Sequence, residues 1–492
     1  MPSIRYGIPP WLDTVPAKKR REYPAFRGVI THPVVIIGGG ISGLTAAYRL
    51  EQAGRPYLLF EAGAHFGGNI VTIERDGYLY DVGPDAFLRA KTAGAALCRE
   101  LGLGGELITP EAHGQAVHVA YDGRLYPMPA GLTLGVPKRP WPILQTPLLS
   151  PLGKCRALME PWIPARKGHQ EESIAQFLAR RLGPEMAERL AAPLLAGVYA
   201  GDAERLSMDA AFGHLVELER KHGSLFVGLN EGKHPLRVLF EPVQAAASPF
   251  YSLRKGLGSL IAALVERLSL ERVHLGERVT GIERRGAAKY AVRTSSREVM
   301  ASAVVVAGPP WTAAGLLASC LPQVSSSLSQ VRGYSTATVY FALSTALMAQ
   351  EPTGSGFIVP PGEGQILAAS YVSCKWAGRA PEGKALVRAF VGGARTDIEP
   401  LSNAQLKHLA HQELTRLMGP LGPPEFSVVH RYDRGNPQPE LGHAQRLEAI
   451  FGGLSSTPGL YLIGSGYGAV GIPDCIAMAD QVTRQILGAA TV

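Results

Sequence analysis

The feature that most constrains the fold is a short apolar run that leads directly into a glycine turn. Val34–Ile37 is followed by Gly38–Gly43, and apolar residues then recur at helical spacing as far as Gly54. A second short apolar run covers Tyr57–Phe60. This order predicts a strand, a helix and another strand, which together form the βαβ unit of a parallel sheet.

The glycine turn has the spacing GxGxxG and a carboxylate follows it at a useful distance. In this motif the first glycine permits the turn, the second lets backbone approach a pyrophosphate, and the third lets helix and strand pack closely. Glu61 lies 18 residues after Gly43, where it can accept hydrogen bonds from the ribose of an adenosine and repel a 2′-phosphate. The alternative for Glu61 is a surface carboxylate. Both features together predict a dinucleotide and disfavour NADP.

Length and composition limit the remaining possibilities. The 492 residues exceed one ordinary core and indicate two or three domains, and 46% hydrophobic with 18% charged residues fits a globular protein. The net charge of +8 suits an anionic membrane, an anionic substrate or nucleic acid. No RNA-binding or zinc-knuckle signature appears, so we do not expect nucleic-acid binding. Five scattered cysteines without a CxxC pair indicate a reducing compartment and no metal site.

No apolar run reaches the length of about 20 residues that spans a bilayer, so an integral membrane protein is not expected. Residues 1–30 contain Trp11, Leu12 and the basic run Lys18–Arg21. This segment fits a solvated tail best, with a membrane contact or a transit-like remnant as alternatives.

Further along, the pattern predicts a helical region, an antiparallel sheet and a return to the first domain. Residues 125–164 are rich in proline and leucine and precede helical patterns that continue to about 212. Residues 279–307 and 461–464 resume the strand patterns, and 474–488 predicts a final helix. The β-like runs that we expect to form a pocket wall are 334–344, 366–372, 385–391 and 426–432.

The segment Glu61–Gly68 resembles the ExxxRxGG pattern of the flavin amine oxidase superfamily, with His65 at the usual arginine position. The resemblance implies FAD, whose phosphates the glycine doublet approaches in that superfamily. The positions that match the continuation of the superfamily pattern are Thr72, Tyr80, Asp81, Gly83, Pro84 and Asp85.

A closer resemblance covers residues 33–488. Residues 191–226, Tyr251–Leu253 with Gly256–Leu260, and the ending YLIGSGYGAVGIPDC are similar to the protoporphyrinogen oxidase family. This similarity implies a six-electron aromatisation of a porphyrinogen to a porphyrin, in successive two-electron steps with FAD as acceptor and oxygen reoxidising it. It also implies that the helix start near Gly471–Asp474 lies by the N1 and O2 region of the flavin.

The fold that we predict is α/β and α+β, with a Rossmann-like FAD-binding domain, an antiparallel-sheet substrate domain and a helical membrane-contact subdomain. The predicted boundaries are 1–30 for the N-terminal extension; 31–92, 252–312 and 452–492 for the FAD-binding domain; 93–212 for the helical subdomain; and 213–251 with 313–451 for the substrate domain.

The resemblance carries over a set of binding residues. Those that we predict to contact FAD are Gly38, Gly40, Ile41, Ser42, Gly43, Glu61, Ala62, Gly67, Gly68, Asn69, Gly83, Pro84, Asp85, Val279, Ala307, Gly464, Gly471, Ile472 and Asp474. Those that we predict to contact substrate are Arg89, Gly356, Ile358 and Trp376.

Several of the substrate assignments have alternatives. The spacing leaves Lys91 as a second candidate for the substrate cation, and Arg89 is otherwise a surface arginine. Ser355 replaces the aromatic residue that the family often has in the pocket wall, and Trp376 suits core packing equally well. We assign no general base: His443 fits a structural histidine better, and no Ser-His-Asp order or HExxH helix supports hydrolysis.

Residues 125–164 fall where the family has its membrane-contact subdomain; the accompanying basic residues are Lys138, Arg139, Lys154, Arg156, Arg166 and Lys167. Contact with an anionic bilayer surface is therefore expected, with an internal packing face as the alternative. A bacterial chain would be cytoplasmic and peripherally attached, and a mitochondrial membrane is the other location considered. A homodimer and a haem-pathway enzyme are further expected partners.

Three functions fit these observations. The first is oxidation of protoporphyrinogen IX, with coproporphyrinogen III as a close alternative substrate. The second is another oxidase or desaturase of the same superfamily, acting on amines or polyene hydrocarbons, although no aromatic pair of the amine-oxidase kind is identified. The third is a non-catalytic carrier of flavin or tetrapyrrole.

Overall fold

The computed structural model describes residues 32–111, 114–168, 170–232, 248–286 and 289–489. The chain divides into two compact units. The first contains the residues up to Thr109, Phe250–Val331 and those from Arg446 onward, and the second contains Pro110–Pro249 and Arg332–Gln445. The predicted extension at residues 1–30 lies outside the described residues.

A five-stranded parallel sheet forms the centre of the first unit. Val34–Ile37 pairs with Tyr57–Phe60 on one side and with Ala303–Val306 on the other. These residues are buried, as expected of parallel strands that helices cover on both faces. The strands in spatial order are Val273–Leu275, Tyr57–Glu61, Val34–Ile37, Ala303–Val306 and Leu460–Leu462.

Helices and small sheets complete the first unit. Its longer helices are Ile41–Gln52, Thr92–Glu100, Gly258–Val265, Pro310–Leu317, Pro322–Ser329 and Ile472–Ala489, while His443–Ser455 crosses the boundary at Arg446. The short 3₁₀ segments are Gly104–Glu106 and Leu270–Arg272. The other strands form a hairpin of Thr72–Arg75 and Tyr78–Asp81, a sheet of Val279–Arg284, Tyr290–Thr294 and Glu298–Ala301, and a sheet of Phe87–Leu88, Phe250–Leu253 and Leu107–Ile108.

The second unit is built on a seven-stranded sheet. Its neighbours are antiparallel except that Gly356–Ile358 runs parallel to Val117–Tyr121. Helix Asn403–Met418 packs against one face, where Val339, Phe341 and their neighbours form a buried apolar core. The strands in spatial order are Phe426–Pro437, Gly333–Ser344, Lys384–Gly392, Ile366–Tyr371, Gly356–Ile358, Val117–Tyr121 and Arg124–Pro127.

The remainder of the second unit is mainly helical, after the short strands Leu132–Thr133 and Val136–Pro137. Its helical segments are Trp141–Gln145, Pro151–Leu158, Glu160–Trp162, Ile174–Leu182, Pro184–Met186, Ala187–Ala191, Ala192–Tyr199, Met208–His222 with a kink at Phe212, Leu225–Leu229, Thr345–Leu347 and Val372–Lys375. Ser173 begins Ile174–Leu182 with a capping box in which Gln176 takes part. Local sequence therefore sets where these helices start.

A buried charge network holds this helical part together. Arg181 is fully buried and donates to Glu160 and Glu219, while Glu160 also accepts from the hydroxyl of Ser224 at 2.6 Å. The backbone N–H of Leu225 donates to Glu160 at 2.8 Å, so the same carboxylate caps helix Leu225–Leu229. Buried charges are tolerated only when paired and hydrogen-bonded in this way.

Candidate functional site

Two glycines of the turn in the first unit have no room for a side chain. A Cβ atom on Gly43 would lie 1.9 Å from the carbonyl oxygen of Gly38, and one on Gly38 would lie 2.8 Å from that of Ala307. Gly38 also has φ +107°, which side-chain-bearing residues rarely adopt. By contrast, a Cβ on Gly40 would have no protein atom within 4 Å. The turn therefore requires its first and third glycines for packing and presents open space at the second.

Helix Ile41–Gln52 begins at Gly40 with no side-chain cap and with no acidic residue in its first turn. Its first N–H groups and the positive end of its dipole are thus available to an anion. Among the predicted residues, Ile41, Ser42 and Gly43 contribute these groups. The arrangement fits a pyrophosphate, whose oxygens accept hydrogen bonds from such N–H groups.

Glu61 ends the second strand and is oriented by backbone. The N–H of Gly39 donates to Glu61 Oε2 at 2.7 Å, and the N–H of Gly63 donates to Oε1 at 2.6 Å. Each carboxylate oxygen retains lone-pair capacity for another donor. Glu61 can therefore accept from ribose hydroxyls while two backbone groups hold it beside the glycine turn.

The predicted glycine doublet also lies at the turn. The N–H of Gly67 donates to the carbonyl of Gly39 at 2.8 Å, and Gly68 has φ +59°. A Cβ on Gly83 would lie 2.0 Å from the carbonyl oxygen of Asn69, so these two predicted residues are in contact. Ala62 and His65 lie on the exposed turn between Glu61 and Gly67.

Several other predicted FAD residues surround this turn within the first unit. Ala307 donates its N–H to Ile37 at 2.8 Å, and Val279 packs with Ile37 and Phe60 in one apolar core. Pro84 and Asp85 follow Gly83, and the Asp85 side chain is buried. The structure thus collects residues from three separate stretches of the chain.

The C-terminal stretch of the chain places the start of helix Ile472–Ala489 near the start of helix Ile41–Gln52. Burial raises the pKa of the Cys475 thiol, which also hydrogen-bonds Ser42 in helix Ile41–Gln52. A Cβ on Gly464 would lie 3.5 Å from the Ser42 hydroxyl oxygen, and Gly471 has φ +148° just before helix Ile472–Ala489. Gly464 therefore lies next to helix Ile41–Gln52, and Gly471 accepts the N–H of Cys475, the residue that contacts this helix.

Asp474 and Lys91 form an ion pair at this second helix start. Lys91 Nζ lies 2.5 Å from Asp474 Oδ2, which also accepts the N–H of Val470 at 3.0 Å. Arg89, in contrast, places its guanidinium 4.8 Å from the ring centre of Tyr251. Sequence reasoning missed both contacts, since hundreds of residues separate Lys91 from Asp474 in the chain.

Sequence reasoning also missed a hydrogen-bond network at the start of helix Gly258–Val265. Thr72 donates to Asp81 Oδ1 at 2.5 Å, and the N–H groups of Leu257 and Gly258 donate to Asp81 and Thr72 at 2.8 Å. Thr72 and Asp81, which match the superfamily pattern, therefore hold the start of helix Gly258–Val265. The superfamily pattern indicated Thr72 and Asp81 but did not predict these hydrogen bonds.

The predicted substrate residues divide between the units. Arg89 belongs to the first, whereas Gly356, Ile358 and Trp376 belong to the second. Gly356 and Ile358 lie on the sheet face opposite helix Asn403–Met418, because their register partners Ser370 and Ala368 alternate with the core residues of that strand. Trp376 is fully buried, and Lys375 Nζ lies 5.0 Å from its ring centre.

Ser355, at the place of the pocket-wall aromatic, and His443, which we did not favour as a general base, both have local structural contacts. Ser355 donates its hydroxyl to the carbonyl of Gly114, and its N–H donates to Ala116 at 2.6 Å. His443 is buried at the start of its helix, where its N–H donates to the carbonyl of Glu440 at 2.9 Å.

Residues 41–487 match the family of flavin-containing amine oxidoreductases. The chain belongs to this family. It is an FAD-dependent oxidoreductase, as predicted, and the glycine turn, the uncapped helix start and Glu61 fit that cofactor.

Known proteins resemble nearly the whole chain. A relative named coproporphyrinogen III oxidase, from Bacillus subtilis, is 35% identical over 92% of this chain and 98% of its own. Protoporphyrinogen oxidase 1 of spinach chloroplasts is 30% identical over 92% of this chain and 84% of its own. The solved structure of a proposed protoporphyrinogen oxidase from Exiguobacterium sp. 255-15 has a TM-score of 0.80 at 31% identity and covers 93% of this chain and 99% of its own. The predicted fold class and the predicted family resemblance are confirmed.

Among the helices of the described ranges, none combines the length and the apolar character that crossing a bilayer requires.

Proposed function

We propose that the protein oxidises a porphyrinogen to the corresponding porphyrin, with FAD as electron acceptor, in tetrapyrrole synthesis. The observation that carries this proposal is the similarity over 92% of the chain to relatives named for such oxidations. Bound FAD supplies the two-electron chemistry, while the protein supplies orientation and electrostatics.

Within the first unit, the contacts support a role for several of the predicted FAD residues. The N–H groups at the start of helix Ile41–Gln52 bind the pyrophosphate, and Glu61 accepts from the ribose. The start of helix Ile472–Ala489 directs positive potential toward the flavin ring. Asp474 would weaken that potential, and the ammonium of Lys91 at 2.5 Å offsets its charge.

The relatives support coproporphyrinogen III as the first substrate to test and protoporphyrinogen IX as the second. The relative named for coproporphyrinogen III is 35% identical, whereas the one named for protoporphyrinogen is 30% identical. This reverses the order that we expected from the sequence. Both substrates carry propionates, so either requires a cation.

Arg89 is our candidate for a propionate contact. Arg89 stacks on Tyr251, and its planar guanidinium matches the geometry of a carboxylate better than the ammonium of Lys91 does. We expect Arg89→Met to raise KM for porphyrinogen about 10-fold, the usual effect of losing a charged hydrogen bond. Lys91→Met should leave KM within about 3-fold of wild type, which corresponds to well under 1 kcal/mol. A larger KM effect from Lys91→Met would assign the propionate to Lys91 instead.

Anaerobic mixing tests the proposed activity. Flavin-loaded protein should lose the visible absorbance of oxidised flavin when coproporphyrinogen III or protoporphyrinogen IX is added. Because each FAD accepts two electrons and the full oxidation removes six, the porphyrin absorbance should develop fully only when an acceptor that reoxidises the flavin is admitted. A folded, fully loaded sample that stays yellow with both substrates would refute the proposal. An amine that bleaches the flavin under the same conditions would favour the amine-oxidising alternative.

Oxygen is the proposed final acceptor. Admitting air to the bleached sample should restore the flavin absorbance and produce hydrogen peroxide in a matching amount. Recovery that requires an added quinone instead would identify another acceptor.

We also propose a peripheral contact with anionic membranes through the segment 141–162 of the second unit. Its apolar side chains Trp141, Leu152 and Trp162 are 61%, 82% and 64% exposed. Single exposed apolar residues are common, but several large ones in one short segment are typical of interaction surfaces. Tryptophan in particular suits the headgroup level of a bilayer.

The basic residues of this region contribute unequally. Arg139, Arg156 and Arg166 form internal hydrogen bonds with Asn230, Arg180 and Gln170, respectively, whereas Lys167 is exposed. Fewer cations than the sequence suggested are therefore directed outward. We expect the double change Trp141→Ser and Trp162→Ser to abolish sedimentation with vesicles containing phosphatidylserine. Equal sedimentation of variant and wild type would contradict this contact.

A further inference from the structure

A turn in the first unit holds the backbone of the segment that contains Glu61. Gly276 and Glu277 follow the strand that pairs with Tyr57–Glu61. The N–H of Glu277 donates to the carbonyl of Glu61 at 2.9 Å, and the N–H of Gly276 donates to the carbonyl of Gly63 at 3.1 Å. These two hydrogen bonds continue beyond the last residue pair of the strands. They therefore fix the backbone at both ends of the short segment from Glu61 to Gly63.

The orientation of the Glu61 carboxylate depends on this segment. The N–H of Gly63 donates to Glu61 Oε1 at 2.6 Å, the length of a charge-assisted hydrogen bond. A shift of the Gly63 backbone would therefore lengthen that bond and release one carboxylate oxygen. The contacts of Gly276 and Glu277 consequently act on the position of the carboxylate as well as on the backbone.

The side chain of Glu277 holds the turn in place. Its Oε1 accepts from the hydroxyl of Thr294 at 2.6 Å and from the hydroxyl of Ser296 at 2.7 Å. Arg297 donates to both carboxylate oxygens, each at 3.2 Å. Burial would raise the pKa of Glu277, but these hydrogen bonds and the charge of Arg297 lower that pKa below its ordinary value. The carboxylate is therefore ionised at neutral pH and is held by three neighbouring side chains.

A second connection joins the same cluster to the strand of Glu61. The guanidinium of Arg297 lies 5.5 Å from the ring centre of Phe60, the residue that precedes Glu61. The ring of His274 stacks on Phe60 with 5.0 Å between the ring centres, and its Nε2 lies 3.2 Å from Nη2 of Arg297. Phe60 is buried, so its packing limits how far the end of the strand can move.

We infer that Glu277 is a positioning residue for FAD, which holds Glu61 where its carboxylate accepts hydrogen bonds from the ribose. An acceptor that is already oriented loses less conformational freedom when the ligand binds, and affinity is higher for that reason. Glu277 acts through Glu61 and not through a contact of its own. This inference rests on the proposed contact between Glu61 and the ribose.

A double-mutant cycle on the apoprotein, titrated with FAD, tests the inference. We expect Glu277→Ala to raise the Kd for FAD about 3- to 10-fold, and no more than Glu61→Ala does, since it can remove only the benefit of orienting Glu61. In the protein that already contains Glu61→Ala, the further change Glu277→Ala should alter Kd less than about 2-fold. Residues that act through one another give such non-additive effects.

Glu283→Ala is the matched control. Glu283 lies on strand Val279–Arg284 and pairs with Arg285 at 2.8 Å. Its substitution removes a paired carboxylate close to Glu277 in the chain, and it should leave the Kd for FAD unchanged.

Glu277→Gln supplies a conservative variant. Its amide oxygen can still accept from the hydroxyls of Thr294 and Ser296, so it should bind FAD more tightly than Glu277→Ala does. If Glu277→Ala does not fold, Glu277→Gln takes its place in the cycle. Its loss of affinity, about 3-fold, should likewise disappear in the protein that contains Glu61→Ala.

Equal fold-losses with and without Glu61→Ala would overturn the inference, because Glu277 would then support the fold in general and not Glu61. An unchanged Kd for Glu277→Ala in the otherwise wild-type protein would overturn it as well. Failure of the ribose contact itself is distinguishable, since Glu61→Ala alone would then bind FAD as tightly as the wild type.

Discussion

The glycine turn of the first unit and the seven-stranded sheet of the second differ in the kind of polar group that they place. At the turn, the polar groups are backbone N–H groups together with the carboxylate of Glu61. On the sheet face away from helix Asn403–Met418, the polar groups are side chains such as Arg388 and Ser370, with Tyr340 and Phe390 beside Arg388. A backbone site depends on which residues have no side chain, whereas a side-chain site depends on which strands lie next to each other.

This contrast has a consequence for mutation. Changes at the turn should act through steric exclusion and affect the cofactor first, and changes in the second unit should act through charges and their partners. The following variants test that distinction, beginning with the largest expected effect.

The buried pair in the second unit should be the most sensitive position. Glu160→Ala removes the acceptor for Arg181, Ser224 and the N–H of Leu225, and leaves a buried cation without this partner. We expect the free energy of unfolding to fall by about 3–5 kcal/mol, measured by urea denaturation. Glu217→Ala, in an exposed pair with Arg220, should cost less than about 1 kcal/mol. Similar costs for both would show that the buried network is not what stabilises this unit.

At the turn, two alanine substitutions should separate folding from binding. Gly43→Ala would bring a Cβ within 1.9 Å of the Gly38 carbonyl oxygen and should destabilise the apoprotein by about 1–3 kcal/mol while preventing FAD uptake. Gly40→Ala meets no protein atom within 4 Å. It should cost the apoprotein about 1 kcal/mol or less and still weaken FAD binding at least about 10-fold, because its methyl group occupies the approach to the pyrophosphate. Unimpaired FAD binding by Gly40→Ala would disprove the proposed phosphate position.

The one charged side chain at the turn should have an intermediate effect. Glu61→Gln retains an acceptor for one backbone N–H but loses the charge-assisted hydrogen bonds to ribose. We expect the Kd for FAD to rise about 10-fold, equivalent to about 1.4 kcal/mol, in titrations of the apoprotein. The exposed Glu74 provides the control, since Glu74→Gln should leave the Kd unchanged.

The smallest effect should appear in the pH dependence of stability. Burial alone would raise the pKa of Glu219, but its hydrogen bond to Arg180 and the charges of Arg180 and Arg181 lower that pKa below its ordinary value. Because the folded state binds this proton more weakly than the unfolded state, the stability from Glu219 is present above the ordinary glutamate pKa of about 4.3 and is lost as the pH falls through the folded pKa. Glu219→Gln should therefore show a shallower loss of unfolding free energy between neutral and acidic pH. Parallel curves would contradict the lowered pKa.

Much of the first unit could be predicted from local sequence. Val34–Ile37, the glycine turn and Glu61 occupy neighbouring positions in the chain, and their roles follow from steric and hydrogen-bonding requirements that act over short distances. In the second unit, the β-like runs at 334–344 and 385–391 correspond to the strands Gly333–Ser344 and Lys384–Gly392. The pattern of the proline-rich stretch after residue 125 did not predict the short strands that lie there beside the helices.

What the sequence could not provide was the pairing of distant groups. Lys91 and Asp474 form an ion pair although 383 residues separate them, and the register that places Arg388 beside Ser370 depends on the order of the strands. An arginine within an apolar strand pattern carries no local signal that distinguishes a ligand contact from a structural one. Its meaning depends on strand order and register, which long-range packing sets.

The amino-acid sequence by itself determined the dinucleotide turn, the carboxylate that follows it and the family to which the chain belongs. These features depend on glycines and a short spacing, and nearby backbone geometry permits few alternatives. Only the tertiary structure decided that Lys91 pairs with Asp474 and that Arg388 lies beside Ser370 in the sheet register. The ion pair joins two helix starts that lie far apart in the chain. In a sheet, shifting one strand by one residue moves each side chain to the other face, so the second arrangement exists only once the strand register is formed.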